Sequence, residues 1–185
     1  MLDKGRFFEK LYFHELDRKQ AIESNFSLPT GVIAGLFGLV GFFFTHFRFG
    51  GGEYAVGSVI ELIFVMSAAV SFLLLILASW WCAKAIMGLP YEHLPGAETM
   101  SGYWSELLEW HREIGTDDPK QAANADFEIF LQSSIAKCSQ INWKANLIRS
   151  EELFNTKRAT VWALFSLAIT AGSYYVHYLI SPPTG

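Results

Sequence analysis

Asn142, Asn146 and Arg149 recur at i, i+4 and i+7, Lys137 and Lys144 share a neighbouring face, and Trp143 stands between the two sets. On a helix this spacing gathers amide donors, cations and an aromatic plane on one side. The mixture suits an anion that carries a base, such as a nucleotide. A long surface helix also shows a charged face with no ligand at all, so plain solvation fits the same residues. Catalytic chemistry has less to work with. His93 and His111 have Glu92, Glu109 and Glu113 close in sequence, but adjacent residues on a helix point apart. There is no HExxH, no GxSxG and no phosphate-cradling glycine pattern. With no nucleophile and base to pair, the expectation is a protein that is not an enzyme. Cys82 and Cys138 are far apart, and His46 and His177 have no matching histidines on other helices, so no metal, haem or other cofactor is expected.

A second set of residues has packing or a pore as its chemistry. Gly31, Gly35 and Gly38 lie at i, i+4 and i+7, with Gly41 close by, and glycines in that register let another backbone come near. Packing against the next apolar helix of the same chain is the simpler expectation, and contact with another subunit is the alternative. Ala163, Ser166, Thr170, Ser173 and His177 form a small and polar ridge, and Ser67 and Ser71 form a shorter one. Hydroxyls of this kind either join helices or line a wet path through an oligomer. Glu61 opens an apolar stretch and is either solvated at the interface or part of an acidic mouth that favours cations.

The elements that must hold these residues follow from hydropathy. The chain of 185 residues is 51% hydrophobic and only 17% charged, against roughly 25% charge in soluble domains. Its net charge of −4 argues against nucleic acid as the partner. Stretches without charge run from Pro29 to Phe47, Leu62 to Ala83 and Ala159 to Ile180. Each is long enough to cross a hydrocarbon core about 30 Å thick. Ten charges precede the first stretch and no small-residue cleavage site follows it, which reads as an anchor rather than a removed signal peptide. Of the 14 Lys and Arg residues, only Arg48 falls outside the segment before the first span and the segment between the second and third. The positive-inside rule then predicts three spans, with the N-terminus inside and the C-terminus outside. Trp80, Trp81 and Trp162 at inner boundaries, with Tyr54, Tyr174, Tyr175 and Tyr178 at outer ones, fit an interfacial belt.

Outside the spans, Phe8, Leu11, Tyr12, Leu16, Ile22 and Phe26 recur near the helical period, which predicts an amphipathic helix from about Gly5 to Asn25. Residues 88–102 read as a loop by their prolines and glycines, and Tyr103 to Ile114 as a helix that Gly115 ends. Asp118-Pro119-Lys120-Gln121 is a helix start with an N-cap, a proline in the first turn and a capping box. No Pro or Gly follows until after Ala171, so one helix is expected to run from the head into the third span. The expected fold is an all-α integral membrane protein with three transmembrane helices and a small helical cytoplasmic domain. Its parts are a cytoplasmic helix over 1–28, a transmembrane hairpin over 29–87 with spans at about 29–47 and 58–84, a cytoplasmic insert over 88–158, and a third span over 159–181.

This order of elements, with the glycine-rich first span from Leu28 to Phe47 and the run from Asp126 to Ala171, resembles the small transmembrane effectors of bacterial antiphage systems, the class of Pycsar transmembrane effectors and SLATT-type proteins. The resemblance is one of layout, without a diagnostic motif. It implies an inner-membrane, multi-pass protein that is switched by a nucleotide signal or a partner protein, forms a homo-oligomer in the bilayer, and permeabilises or depolarises the membrane. The alternative is a non-catalytic structural or sensor subunit of a multi-protein membrane complex. No direct DNA binding is expected.

Overall fold

The computed structural model describes residues 4–47, 49 and 55–180, and the side chains of 4 and 55–58 fall outside that description. Arg48, Tyr54 and residue 181, which the topology and belt arguments use, lie outside the described residues. All secondary structure among the described residues is helical: α1 (Lys4–Ser24), α2 (Ser27–His46), α3 (Ala55–Met87), α4 (Ala97–Glu113) and α5 (Pro119–Ile180). Stretches within Gly5–His46, Val59–Met87 and Pro119–Ile180 are long and apolar enough to cross a membrane.

Local chemistry accounts for each boundary. Pro29 has no N–H to give the carbonyl four residues back, and its ring crowds that carbonyl. The helix is therefore interrupted at Asn25 and Phe26, and α2 restarts with the Thr30 amide and hydroxyl both donating to the Phe26 carbonyl, at 3.2 and 2.8 Å. Helix α3 stops at Gly88, which has a φ of +37°. Pro90 and Pro95 then keep the chain extended up to α4.

Helix α4 begins at Ala97 and not at Tyr103, so Gly102 lies inside a helix where the sequence suggests a loop. Gly96 takes an extended conformation at the N-cap, and Glu98 sits in the first turn, where the helix dipole favours it. A single interior glycine costs only about 1 kcal/mol. Gly115 ends α4 as expected. With φ at +72°, its amide donates to the Arg112 carbonyl at 3.3 Å and that of Thr116 to the His111 carbonyl at 3.1 Å, a Schellman ending. Helix α5 starts where the capping signal lies, with the Gln121 amide donating to Asp118 Oδ1 at 3.0 Å, and runs unbroken for 62 residues.

The chain divides into two compact units, Met1–Ile22 with Leu89–Leu147, and Glu23–Gly88 with Ile148–Gly185. Two of their borders fall inside α1 and α5, and the third follows the end of α3. In the first unit Tyr12, Ile135 and Cys138 form a core on which Phe8, Leu16, Leu94 and Leu131 pack. In the second, α3 buries Phe64, Ala68, Ser71, Leu75, Ala78, Cys82 and Ala85, steps of four and three residues in turn. Along α5 the same alternation runs through Ile135, Ser139, Asn142, Asn146, Arg149, Leu153, Thr156, Thr160, Ala163, Leu167 and Thr170. A period of 3.5 keeps one face turned to its neighbours over a long distance.

Candidate functional site: the buried polar seam of α5

The seam of α5 is polar for much of its length, and each polar group on it is fixed by the turn of the helix that carries it. In the first unit Asn142 is fully buried and pairs with the backbone of a single residue. The Glu92 amide donates to its Oδ1 at 2.9 Å, and its Nδ2 donates to the Glu92 carbonyl at 3.0 Å. One turn on, Asn146 Nδ2 donates to both the carbonyl and the carboxylate of Glu15, each at 2.8 Å. Its Oδ1 accepts from the Tyr91 hydroxyl. Glu15 is only 2% exposed, with Arg18 Nη1 at 3.9 Å. Lys19 Nζ lies 4.6 Å above the Tyr91 ring. Burial pushes the neighbouring Cys138 thiol above its ordinary pKa, and the Glu92 carboxylate adds to the effect. Elsewhere in this unit, His111 ties α4 to α5, with Nε2 at 3.0 Å from Asp126 and Nδ1 at 3.2 Å from Thr116.

In the second unit Arg149 Nη1 donates to Glu23 at 3.2 Å and Nη2 to the Ile86 carbonyl at 3.3 Å, at the end of α3 where carbonyls lack helical partners. Lys84 lies 3.7 Å from Glu152. Further along, Ser67 is a hub: its carbonyl accepts from Ser71 at 2.9 Å and from Ser166 at 2.8 Å, and its hydroxyl accepts from Thr170 at 2.9 Å. At the far end of the unit Phe47 stacks between Phe64 and His177, with ring centroids at 3.8 and 4.6 Å.

The residues singled out from the sequence are thus sorted by the fold. Asn142, Asn146 and Arg149 lie on the buried seam with their amide and guanidinium groups engaged by the chain, whereas Lys137, Trp143 and Lys144 are exposed on other faces of α5. The six do not form one open anion-binding face, because the period that places the first three together is the one that turns them inward. Ser67, Ser71, Ser166 and Thr170 come together and join α3 to α5, while Ser173 bonds to its own helix, at the Ile169 carbonyl. His177 belongs to the aromatic stack, and His46 turns to the Phe42 carbonyl at 2.9 Å. Glu61 is half-buried near the start of α3.

The glycines depart from the simpler expectation. Helix α2 buries Pro29, Ile33, Leu36 and Val40, which places Gly31, Gly35 and Gly38 on the opposite side. A Cβ added at any of the three would meet nothing within 4 Å. They do not seat α2 against α3, because large side chains do so instead. Glu15, Tyr91 and Glu23 were not singled out from the sequence, and Glu92 was named only as a carboxylate close to a histidine. The signal that could have found their partners is the 3.5-residue recurrence of polar residues on α5. No cluster of three or more metal-ligating side chains occurs among the described residues.

Together these features describe an all-helical protein with three potential membrane-crossing helices, and its most elaborate chemistry is hydrogen bonding between helices. No protein-family model, curated protein or solved structure matches the chain.

Proposed function

We propose that the protein is an inner-membrane effector in which a cytoplasmic helical head controls a three-span membrane unit, with the N-terminus inside and the C-terminus in the periplasm. The observation that carries this reading is α5: one helix of 62 residues supplies buried residues to both units. A helix common to a sensing part and a membrane part is one kind of element through which coupling between distant sites is carried. The resemblance to small antiphage effectors supplies the rest, namely a nucleotide signal or partner protein as trigger, assembly of several copies, and loss of the membrane barrier. The exposed Lys137, Trp143 and Lys144, and not the buried asparagines, are the residues open to such a trigger. The glycine side of α2, open in the single chain, suits assembly.

One observation favours the other reading, a structural or sensor subunit. The Ser67 hub consumes its hydroxyls inside one chain, so they line no wet path there. Dye uptake in cells expressing the chain from an inducible promoter separates the two. An effector permeabilises the membrane on triggering, and a Gly-Gly-Ser insertion after Ser150 keeps the protein in the membrane but abolishes the leak. If no trigger permeabilises the membrane, or the insertion leaves the leak intact, the subunit reading replaces it. Phosphatase and fluorescent-protein fusions at Gly96 and at the C-terminus test the orientation, with opposite sides expected.

A further inference from the structure

The extended segment between α3 and α4 is joined to the first unit in an unusual way. Asn142 offers one acceptor and one donor to the N–H and C=O of Glu92, as the neighbouring strand of a sheet would. The Tyr91 hydroxyl reaches Asn146, and Leu94 packs on the core formed by Tyr12, Ile135 and Cys138. The Lys19 ammonium over the Tyr91 ring adds a further tie, yet the segment buries little apolar surface. Leu89, Pro90, Glu92, His93, Pro95 and Gly96 are all exposed, and Tyr91 and Leu94 are half-buried.

We propose that residues 89–96 form a releasable strap, latched by Asn142 and Asn146, that opens while the helices of the first unit stay folded. A segment that buries so little apolar surface is drawn from the low end of local stability. Pro90 and Pro95 hold it extended whether or not it is docked, so opening requires no refolding of its backbone. The latch is made of neutral amides, one reading the main chain of Glu92 and the other the Tyr91 hydroxyl, so it seats the strap in one register. Release uncovers the seam of α5, including Asn142 and Cys138. The proposal deepens the reading of the first unit as a regulated head. Its test makes no use of membrane activity, so a failure of either is seen separately.

Cys138 is a built-in reporter. In full-length protein in detergent micelles carrying Cys82→Ala, it is the sole thiol, since the chain has 2 cysteines. Its modification by N-ethylmaleimide then counts strap openings. Asn142→Ala, which removes two hydrogen bonds, should speed labelling roughly tenfold or more, and Tyr91→Phe a few-fold, both with unchanged helix content by circular dichroism. Asp126→Asn, which loosens His111 in the same unit, should leave the rate as it was. The strap is ruled out if neither Asn142→Ala nor Tyr91→Phe speeds labelling, or if Asp126→Asn speeds it as much as they do. It is equally ruled out if labelling in every variant proceeds only with loss of helix, the sign of global unfolding. Should Asn142→Ala fail to fold, Tyr91→Phe alone decides the question.

Discussion

Gly88 is where a single hydrogen matters most. Its positive φ disfavours any side chain, and an added Cβ would run into Nε of Arg149. Gly88→Ala must therefore both strain the turn, at about 1–2 kcal/mol, and displace a guanidinium with charged and carbonyl partners, at roughly 1.5–3 kcal/mol. A loss of about 2.5–5 kcal/mol in denaturant titration is expected. Gly115→Ala has the same sign of φ but open space around it, so it should lose no more than about 2 kcal/mol. The thiol of Cys138 gives a second residue-level outcome. Burial raises its pKa, so its labelling should rise with pH through an inflection above that of a free thiol. An inflection at the free-thiol value would show that burial does not act on it. None of this was legible beforehand: a glycine beside two prolines reads as a generic breaker, and only the fold brings Arg149 to it.

Helix boundaries were legible where local chemistry decides them and lost where packing does. Asp118 and Pro119 start α5 as their capping pattern demands, and Gly115 ends α4. Gly102 misled because a lone glycine outweighs its neighbours in a sequence reading but not in a packed helix. The turn between α1 and α2 is the clearest test of a local cause. Restoring an N–H with Pro29→Ala removes the ring clash and supplies the missing donor. The amide of the new alanine should become protected from hydrogen exchange, and residues 25 and 26 should join a continuous helix. If the alanine amide exchanges without protection and the amides of residues 25 and 26 exchange as fast as in the wild type, the break belongs to the packing of Phe26 and not to the proline. The polar seam was half legible: the spacing of Asn142, Asn146 and Arg149 was seen, but its direction was not, because a polar face is ordinarily a solvated one.

For the molecule as a whole, three apolar stretches and an all-helical chain were legible from hydropathy alone, while the partnering of faces was not. Among the described residues nothing covers the side of α2 that carries Gly31, Gly35 and Gly38, so Gly35→Leu should leave thermal stability of the single chain within about 0.5 kcal/mol of the wild type. Under the effector reading the mutation should also lower the oligomer mass seen by mass photometry, and an unchanged mass would remove that face from assembly. The regular recurrence of buried positions has a last consequence. A seam that repeats every seven residues looks nearly the same to its partner after a slide of one heptad, about 10.5 Å along the axis. Apolar contacts between α3 and α5 would tolerate that slide, since alanine and leucine recur on both. Hydroxyls do not recur so evenly. Only one alignment sets Ser166 against the Ser67 carbonyl and Thr170 against its hydroxyl, so these bonds act as an index mark that selects a single register. A chain with Ser166→Ala and Thr170→Val, which lacks both donors, should keep its helices yet populate more than one alignment, visible as doubled resonances from a label on α5.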